Sequence, residues 1–362
     1  MELEKSQRKN WIDAAKVIAI LIVVLNHSGL VIFGVNFWGG MFYVPAFFLL
    51  SGYTYAPKKE SMAVFVKRKA KRLLIPYFTA NILLFLFFFL KDILAGTFSK
   101  GRTLLSLLGI VYARTQLFRT DAGMIAFKAP VPNRNLMLNL NAPTWFLPAL
   151  FLVLVSGNAL IRFWKGNEKK VNLFVAVFAF LMILHHYLSP FLLPWCLDIL
   201  PFLLAFFFLG YTLKVYRCFE RLEEKPFWER TGIVAGVLGI VIVMGLLNGS
   251  FNLSVSFFGK SMAACMLTAS GATFLLLYIL RLLEKKIPEA TAMTGKLSKY
   301  TLTIMCYHYF VMQIFFVAAA VLVPHIWNQS VGRVFVQIAG MTVSILICVV
   351  LELIWKKIKQ IL

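Results

Sequence analysis

Cysteine is scarce and dispersed: Cys196, Cys218, Cys265, Cys306 and Cys348 are the only five in 362 residues. No pair has metal-ligand spacing and no disulfide framework is outlined, so neither a zinc module nor a stapled extracellular fold is indicated. Acidic residues are scarce too. There are 15 Asp and Glu against 37 Lys and Arg, a net charge of +22. In a soluble protein that excess would point to nucleic acid. What excludes this reading is the lack of any polar stretch long enough for a soluble domain. Hydrophobic residues make up 60% of the chain, and its mean hydropathy is +0.80. Apolar runs of about 20 residues recur throughout, which defines an all-α, polytopic membrane protein. The positive charge then acts to hold loops in the cytoplasm, and no nucleic-acid partner is expected. The first apolar run lacks a small-residue cleavage site and is expected to stay as a span. No repeat divides the chain into homologous halves, so residues 1–362 are read as one transmembrane domain.

Ten spans are expected, at 11–33, 36–56, 74–95, 143–164, 172–189, 196–214, 231–249, 260–283, 300–323 and 334–355. An even number puts both termini on one side. Of the 37 Lys and Arg, 27 fall on that side and nine on the other, with Lys16 inside the first span. The bias places both termini in the cytoplasm and fits a bacterial inner or plasma membrane.

The run from Trp11 to Ser28 is apolar except for a few residues, among them Asp13, Lys16 and His27. On a helix, Lys16 lies about 60° and His27 about 40° from Asp13, so the three share a face. Lipid does not solvate such a face; it must look into protein or a wet cavity. The residues alone leave two readings open. One is a cap, a snorkelling lysine and a buried structural histidine. The other is a reaction built around His27.

Further along, Ser51, Gly52, Tyr53 and Thr54 end the second span as a small, hydroxyl-bearing patch, read either as close helix packing or as part of a site. The following FVKRKAKRLLIPY is read as a short basic helix with Arg68 and Arg72 one turn apart. It serves topology and anionic lipid, or it seats a phosphorylated ligand through forked arginine contacts. The 96–142 loop is the one long connection; 104–111 is read as an interfacial helix, and Trp145 stands just past the loop's end, where it suits either a membrane boundary or carbohydrate. His185, His186 and Asp198 fall near the outer face, and Asp198 needs a partner or a place in the first turn of its helix. His308 lies about two turns into the ninth span, where flanking tyrosines could satisfy it.

Taken in order, these motifs resemble the acyltransferase 3 family of integral-membrane O-acyltransferases, most of all its fucose-4-O-acetylase-like branch. Asp13, Lys16 and His27 match the family's opening D-x-x-K-x10-H. PAFFLLSGY resembles its F-F-x-x-S-G-Y, and Arg68, Arg72, Pro76 and Tyr77 match its basic segment leading into L-L-I-P-Y. Thr144 to Leu147 match W-F-L, Phe206 to Tyr211 match F-F-x-x-G-Y, and His308 matches a late histidine. Relatives in the branch often carry F-H-M-P where this chain has Phe42, Tyr43, Val44 and Pro45; Tyr43 replaces the histidine.

The resemblance implies transfer of an acyl group, usually acetyl, from cytoplasmic acetyl-CoA or another acyl-CoA to a hydroxyl of a sugar, glycolipid or envelope polysaccharide. No metal is implied. His27 would act as general base, with Asp13, Lys16 and His308 beside it. Arg68, Arg72, Lys16 and Ser51 would contact the donor, and Trp145, Asp198 and Tyr53 the acceptor. A histidine can take a proton from an alcohol near neutral pH; direct transfer and an acyl-histidine route both remain open. Two other functions suit buried polar groups among membrane helices: export of a polysaccharide or lipid-linked glycan, and a silent role in a glycan-synthesis complex. The expected partners are membrane lipids and the carbohydrate acceptor.

Overall fold

Gly29 stops the first helix. The computed structural model, which describes residues 9–117, 141–163, 177, 180–189 and 191–361, has α1 at Asn10–Ser28. It ends short of the expected residue 33 because Gly29 takes the left-handed conformation, φ 73°, that closes a helix. The second span is also broken, into α2 (Val35–Gly40) and α3 (Tyr43–Tyr53). Gly39 and Gly40 favour helix weakly, and Pro45 fits the first turn of a new helix, where no N–H is needed.

The basic stretch corrects a second expectation. It is the opening of one helix, α4 (Met62–Leu94), and does not form a separate short helix before the span. Ser61 caps it, its side chain accepting from Val64 N at 3.3 Å, and nothing between there and Pro76 breaks it. Pro76 itself lies inside the helix, as prolines can in membrane helices whose neighbours satisfy the freed carbonyl.

The remaining helices are α5 (Lys100–Tyr112), α6 (Phe146–Phe163), α7 (180–188), α8 (Leu200–Val215), α9 (Cys218–Glu224), α10 (Phe227–Asn248), α11 (Met262–Lys286), α12 (Pro288–Lys296), α13 (Thr301–Leu322), α14 (Pro324–Asn328) and α15 (Ser330–Ile361). Helix α5 contains the expected 104–111 segment. Among the described residues nine helical stretches are long and apolar enough to cross a membrane. They coincide with nine of the ten expected spans. In the other, 172–189, the described residues are 177 and 180–189, of which 180–188 form α7. The chain is a multi-pass helical membrane protein.

The chain divides into two compact units. The first comprises residues 1–50, 215–248 and 263–362. Here α1 packs on α12, α13, α15 and α2. At Gly295, α12 lies against the start of α1: a Cβ there would make ordinary van der Waals contact, 3.4 Å from Asp13 Cβ and 3.5 Å from Asn10 O. Trp11 is buried edge-on against Phe219 at 5.7 Å, and Phe219 stacks on Phe274 at 5.2 Å. Beside these rings Arg281 donates to Glu220 at 2.9 Å and to Glu223 at 2.8 Å, and Lys285 donates to Glu223 at 2.7 Å. Partial burial pushes the Glu223 carboxyl up, but the hydrogen bonds from Arg281 and Lys285 outweigh it and hold the group below the usual carboxylate range.

The second unit comprises residues 51–214 and 249–262. Two of the sequence motifs meet in it. Gly52 lies so close to α8 that a Cβ would fall 1.8 Å from Phe207 O, while a Cβ on Gly157 would meet the Phe207 ring at 2.5 Å. The glycine of S-G-Y and the aromatic of F-F-x-x-G-Y are therefore one contact, the small-residue packing that membrane helices use in place of a hydrophobic driving force. Gly52→Ala must move a backbone carbonyl, whereas Gly157→Ala meets only a side chain. We expect Gly52→Ala to cost at least about 2–3 kcal/mol and to melt well below both the parent and Gly157→Ala, read by thermal unfolding of purified protein. Equal melting temperatures for all three would contradict the packing argument.

Candidate active site

Helix α1 carries Asp13, Lys16 and His27 to one side, as its periodicity requires. Near its start Lys16 Nζ donates to Asp13 Oδ1 at 3.0 Å. The Asp13 side chain is 13% exposed and that of Lys16 32%, so the pair is sheltered without being sealed. His27 lies in the last turn, half-buried. Its Nδ1 is 3.2 Å from Nε2 of His308, a residue 281 positions away. The Tyr309 ring stands edge-on to His27 at 5.4 Å.

By sequence, His308 lies about two turns into its span, whereas His27 lies in the last turn of α1. The structure brings them together because α12 and a 3-10 turn, Leu297–Tyr300, precede α13 and extend that arm back to Pro288. Gly295 of this extension lies level with Asn10 and Asp13. His308 is thereby carried as far along α1 as His27.

The hydrogen bonds fix the tautomers. His308 is fully buried, and its Nδ1 lies 2.5 Å from the Ile304 carbonyl oxygen. A carbonyl only accepts, so His308 Nδ1 bears the proton and its Nε2 is left as an acceptor. His27 Nδ1 must then donate to it. In a neutral imidazole this leaves the lone pair on His27 Nε2, the nitrogen able to accept a proton from elsewhere.

The second unit holds the basic end of α4. Arg68 forms a fork with the Glu60 carboxylate, Nη2 to Oε1 and Nε to Oε2, the latter at 3.4 Å. Arg68, Lys69 and Arg162 all lie over the buried Phe65 ring, at 5.3, 5.4 and 5.9 Å. Arg72 is exposed. Arg162 donates to the carbonyls of Glu60 and, at 3.2 Å, Lys58, and its Nε reaches Asn158 Oδ1 at 3.0 Å. Tyr55 donates to the same Asn158 oxygen at 2.6 Å, and Lys214 Nζ donates to the Tyr55 carbonyl at 2.7 Å. The hydrogen bond from Arg68 is the main reason that the Glu60 carboxyl titrates below its ordinary value. Ser51 and Tyr53 end α3 just before this network, Ser51 half-buried and Tyr53 buried.

Trp145 closes a 3-10 turn, Ala142–Trp145, and is buried. Its neighbour Thr144 accepts from Asn81 Nδ2 at 3.0 Å. Asp198 has the partner that its position demanded, and that partner is Arg114. The guanidinium is fully buried. It pairs with Asp198 and donates to the carbonyls of Leu193 at 3.0 Å and Ser254 at 2.7 Å. Ser256 donates to the other Asp198 oxygen. Asp198 lies in a 3-10 turn, Pro194–Ile199, just before α8 and not in the first turn of that helix, so of the two expectations it is the partner that the structure supplies. His185 Nε2 bonds the Phe191 carbonyl at 2.8 Å.

Sequence reasoning missed Glu60, Asn158, Arg162 and Arg114. Two signals were present: Glu60 is the one carboxylate in the basic stretch 57–73, and Arg114 is one of few cations on the sparsely charged side.

Among the described residues, apolar helices carry a histidine pair in one unit and an arginine-rich helix end in the other, within a multi-pass membrane protein. The chain belongs to the acyltransferase 3 family: the model of that family, described as an acyltransferase domain, matches residues 9–353. It is a membrane acyltransferase. No curated protein and no solved structure matches the chain.

Proposed function

We propose that this acyltransferase moves an acyl group, foremost acetyl, from cytoplasmic acyl-CoA to a hydroxyl of a sugar, glycolipid or cell-envelope polysaccharide, as the fucose-4-O-acetylase-like branch of the family does. The observation that carries the reading is the contact between His27 and His308, which leaves one defined nitrogen with a lone pair.

In this mechanism His27 Nε2 takes the proton of the acceptor hydroxyl as its oxygen attacks the thioester carbonyl. The new C–O bond forms, the C–S bond breaks, and the departing thiolate receives the proton from His27. His308 holds the tautomer and spreads the positive charge that His27 acquires. The Asp13–Lys16 pair sets a cation on the same helix face without leaving a bare charge among apolar side chains. Arg68 and Arg72 take the donor's phosphates, with Ser51 at the neighbouring helix end. Trp145 and Tyr53 are assigned to the acceptor side. Asp198 supports that side indirectly, since Arg114 and Ser256 already occupy its oxygens.

The test is mass spectrometry of envelope glycans from cells with and without the gene, alongside transfer from labelled acetyl-CoA by the purified protein. Loss of an acyl mass increment from one glycan in the deletion strain is the expected result. Identical glycans together with no transfer in vitro would overturn the assignment.

A further inference from the structure

The residue that the proposed donor seat does not account for is Glu60. It is the one acidic side chain between Ser51 and Leu73, amid Lys58, Lys59, Lys67, Arg68, Lys69, Lys71 and Arg72. Positive-inside retention needs no carboxylate there. Nor is Glu60 loosely placed. Its side chain is only 15% exposed, and its backbone carbonyl is gripped by Arg162, itself held by Asn158. The side chain presents both oxygens to Nε and Nη2 of Arg68. That two-point fork is the geometry through which an arginine takes two phosphate oxygens.

We infer that Glu60 is an internal counter-ion of the donor seat: its carboxylate occupies the Arg68 fork when no donor is bound, and a donor phosphate displaces it. The inference rests on the reading of Arg68 as a phosphate contact. Two consequences follow from the geometry. Arg68 cannot give the same two N–H groups to Glu60 and to a phosphate, so the two compete and Glu60 lowers the affinity for acyl-CoA and for the CoA product alike. Because Arg162 holds the Glu60 backbone and not its carboxylate, the side chain can swing away while the segment 58–60 stays in place. Between turnovers the carboxylate keeps Arg68 ordered and neutralised, and it returns to the fork as CoA leaves. Glu60 therefore sets how tightly nucleotide is held and how readily product is released.

The experiment is calorimetric titration of CoA into the full-length purified protein, comparing the parent with Glu60→Gln, Arg68→Ala and the double variant. Because a partly exposed pair of this kind is weak, Glu60→Gln is expected to bind CoA only about three- to fivefold more tightly. Arg68→Ala is expected to bind roughly tenfold more weakly. In the double variant the gain from Glu60→Gln should vanish, because the fork that Glu60 blocks is gone. Glu60→Ala should act in the same direction as Glu60→Gln and covers the case in which the amide disturbs folding. If Glu60→Gln binds CoA like the parent or more weakly while Arg68→Ala is impaired, Glu60 is a scaffold; the counter-ion role is overturned and the donor seat stands. If Arg68→Ala binds CoA as the parent does, the donor seat itself fails, and the role of Glu60 fails with it.

Discussion

His27→Ala is expected to abolish acyl transfer while leaving the protein folded, inserted and able to bind CoA. Three features argue for this. The side chain lies in the last turn of α1 and keeps some exposure, so truncation leaves no sealed cavity. Its Nδ1 is committed to His308, and the bond from His308 Nδ1 to Ile304 leaves His27 Nε2 with the lone pair. No other titratable side chain on α1 can replace it, because Asp13 and Lys16 are bound to each other more than two turns away. Loss of a general base typically lowers kcat by about 10² to 10⁴, and by more where the residue also carries the acyl group. His308→Ala should fall between the parent and His27→Ala, because it frees the tautomer without removing the base. The assay is transfer from labelled acetyl-CoA at saturating donor, with CoA titration as the control for folding. If purified His27→Ala transfers at near the parent rate and the variant is merely produced in lower yield, the histidine is structural.

The second large effect is expected at Asp198. Replacing it with alanine strands the guanidinium of Arg114, which is fully buried with Asp198 as its charge partner. Breaking such a pair from one side costs about 3–5 kcal/mol, a large part of the about 5–15 kcal/mol that stabilises a typical domain. The cost concerns three segments at once, since the same guanidinium holds the Leu193 and Ser254 carbonyls. Backbone strain adds to this dependence. Ala113, Trp195, Cys196 and Ser256 all have positive φ, a conformation that non-glycine residues keep only when their surroundings hold it. The Arg114→Met/Asp198→Leu double variant should melt well above Asp198→Ala, because it leaves no unpaired charge. Thermal unfolding of the three purified proteins tests this. Were Asp198→Ala to melt with the parent and only raise KM for the acceptor, the residue would be a substrate contact and not a clamp.

Some elements of this protein needed nothing beyond the chain. Nine expected spans coincide with helices, and the polar face of α1 is where its periodicity puts it. A bilayer selects long apolar runs wherever they occur, and helical phase depends only on spacing, so both are local properties. The errors also have local causes. Gly29 and the Gly39–Gly40 pair interrupt runs that hydropathy treats as continuous, and the Ser61 cap starts α4 twelve residues before its apolar stretch was read to begin at 74.

What required the tertiary structure was the choice of neighbours. His27 with His308, Arg114 with Asp198, Gly52 with Phe207 and Glu60 with Arg68 each depend on how the backbone packs and turns. Hydrophobicity cannot make that choice inside a bilayer, because a helix loses no more by facing lipid than by facing another helix. Close packing at small residues and the need to pair buried polar groups decide it. The sequence by itself thus determined a polytopic membrane protein with a reactive-looking histidine and a basic helix end. Only the folded chain decided which histidine nitrogen is left to act, and which carboxylate sits on the arginine fork.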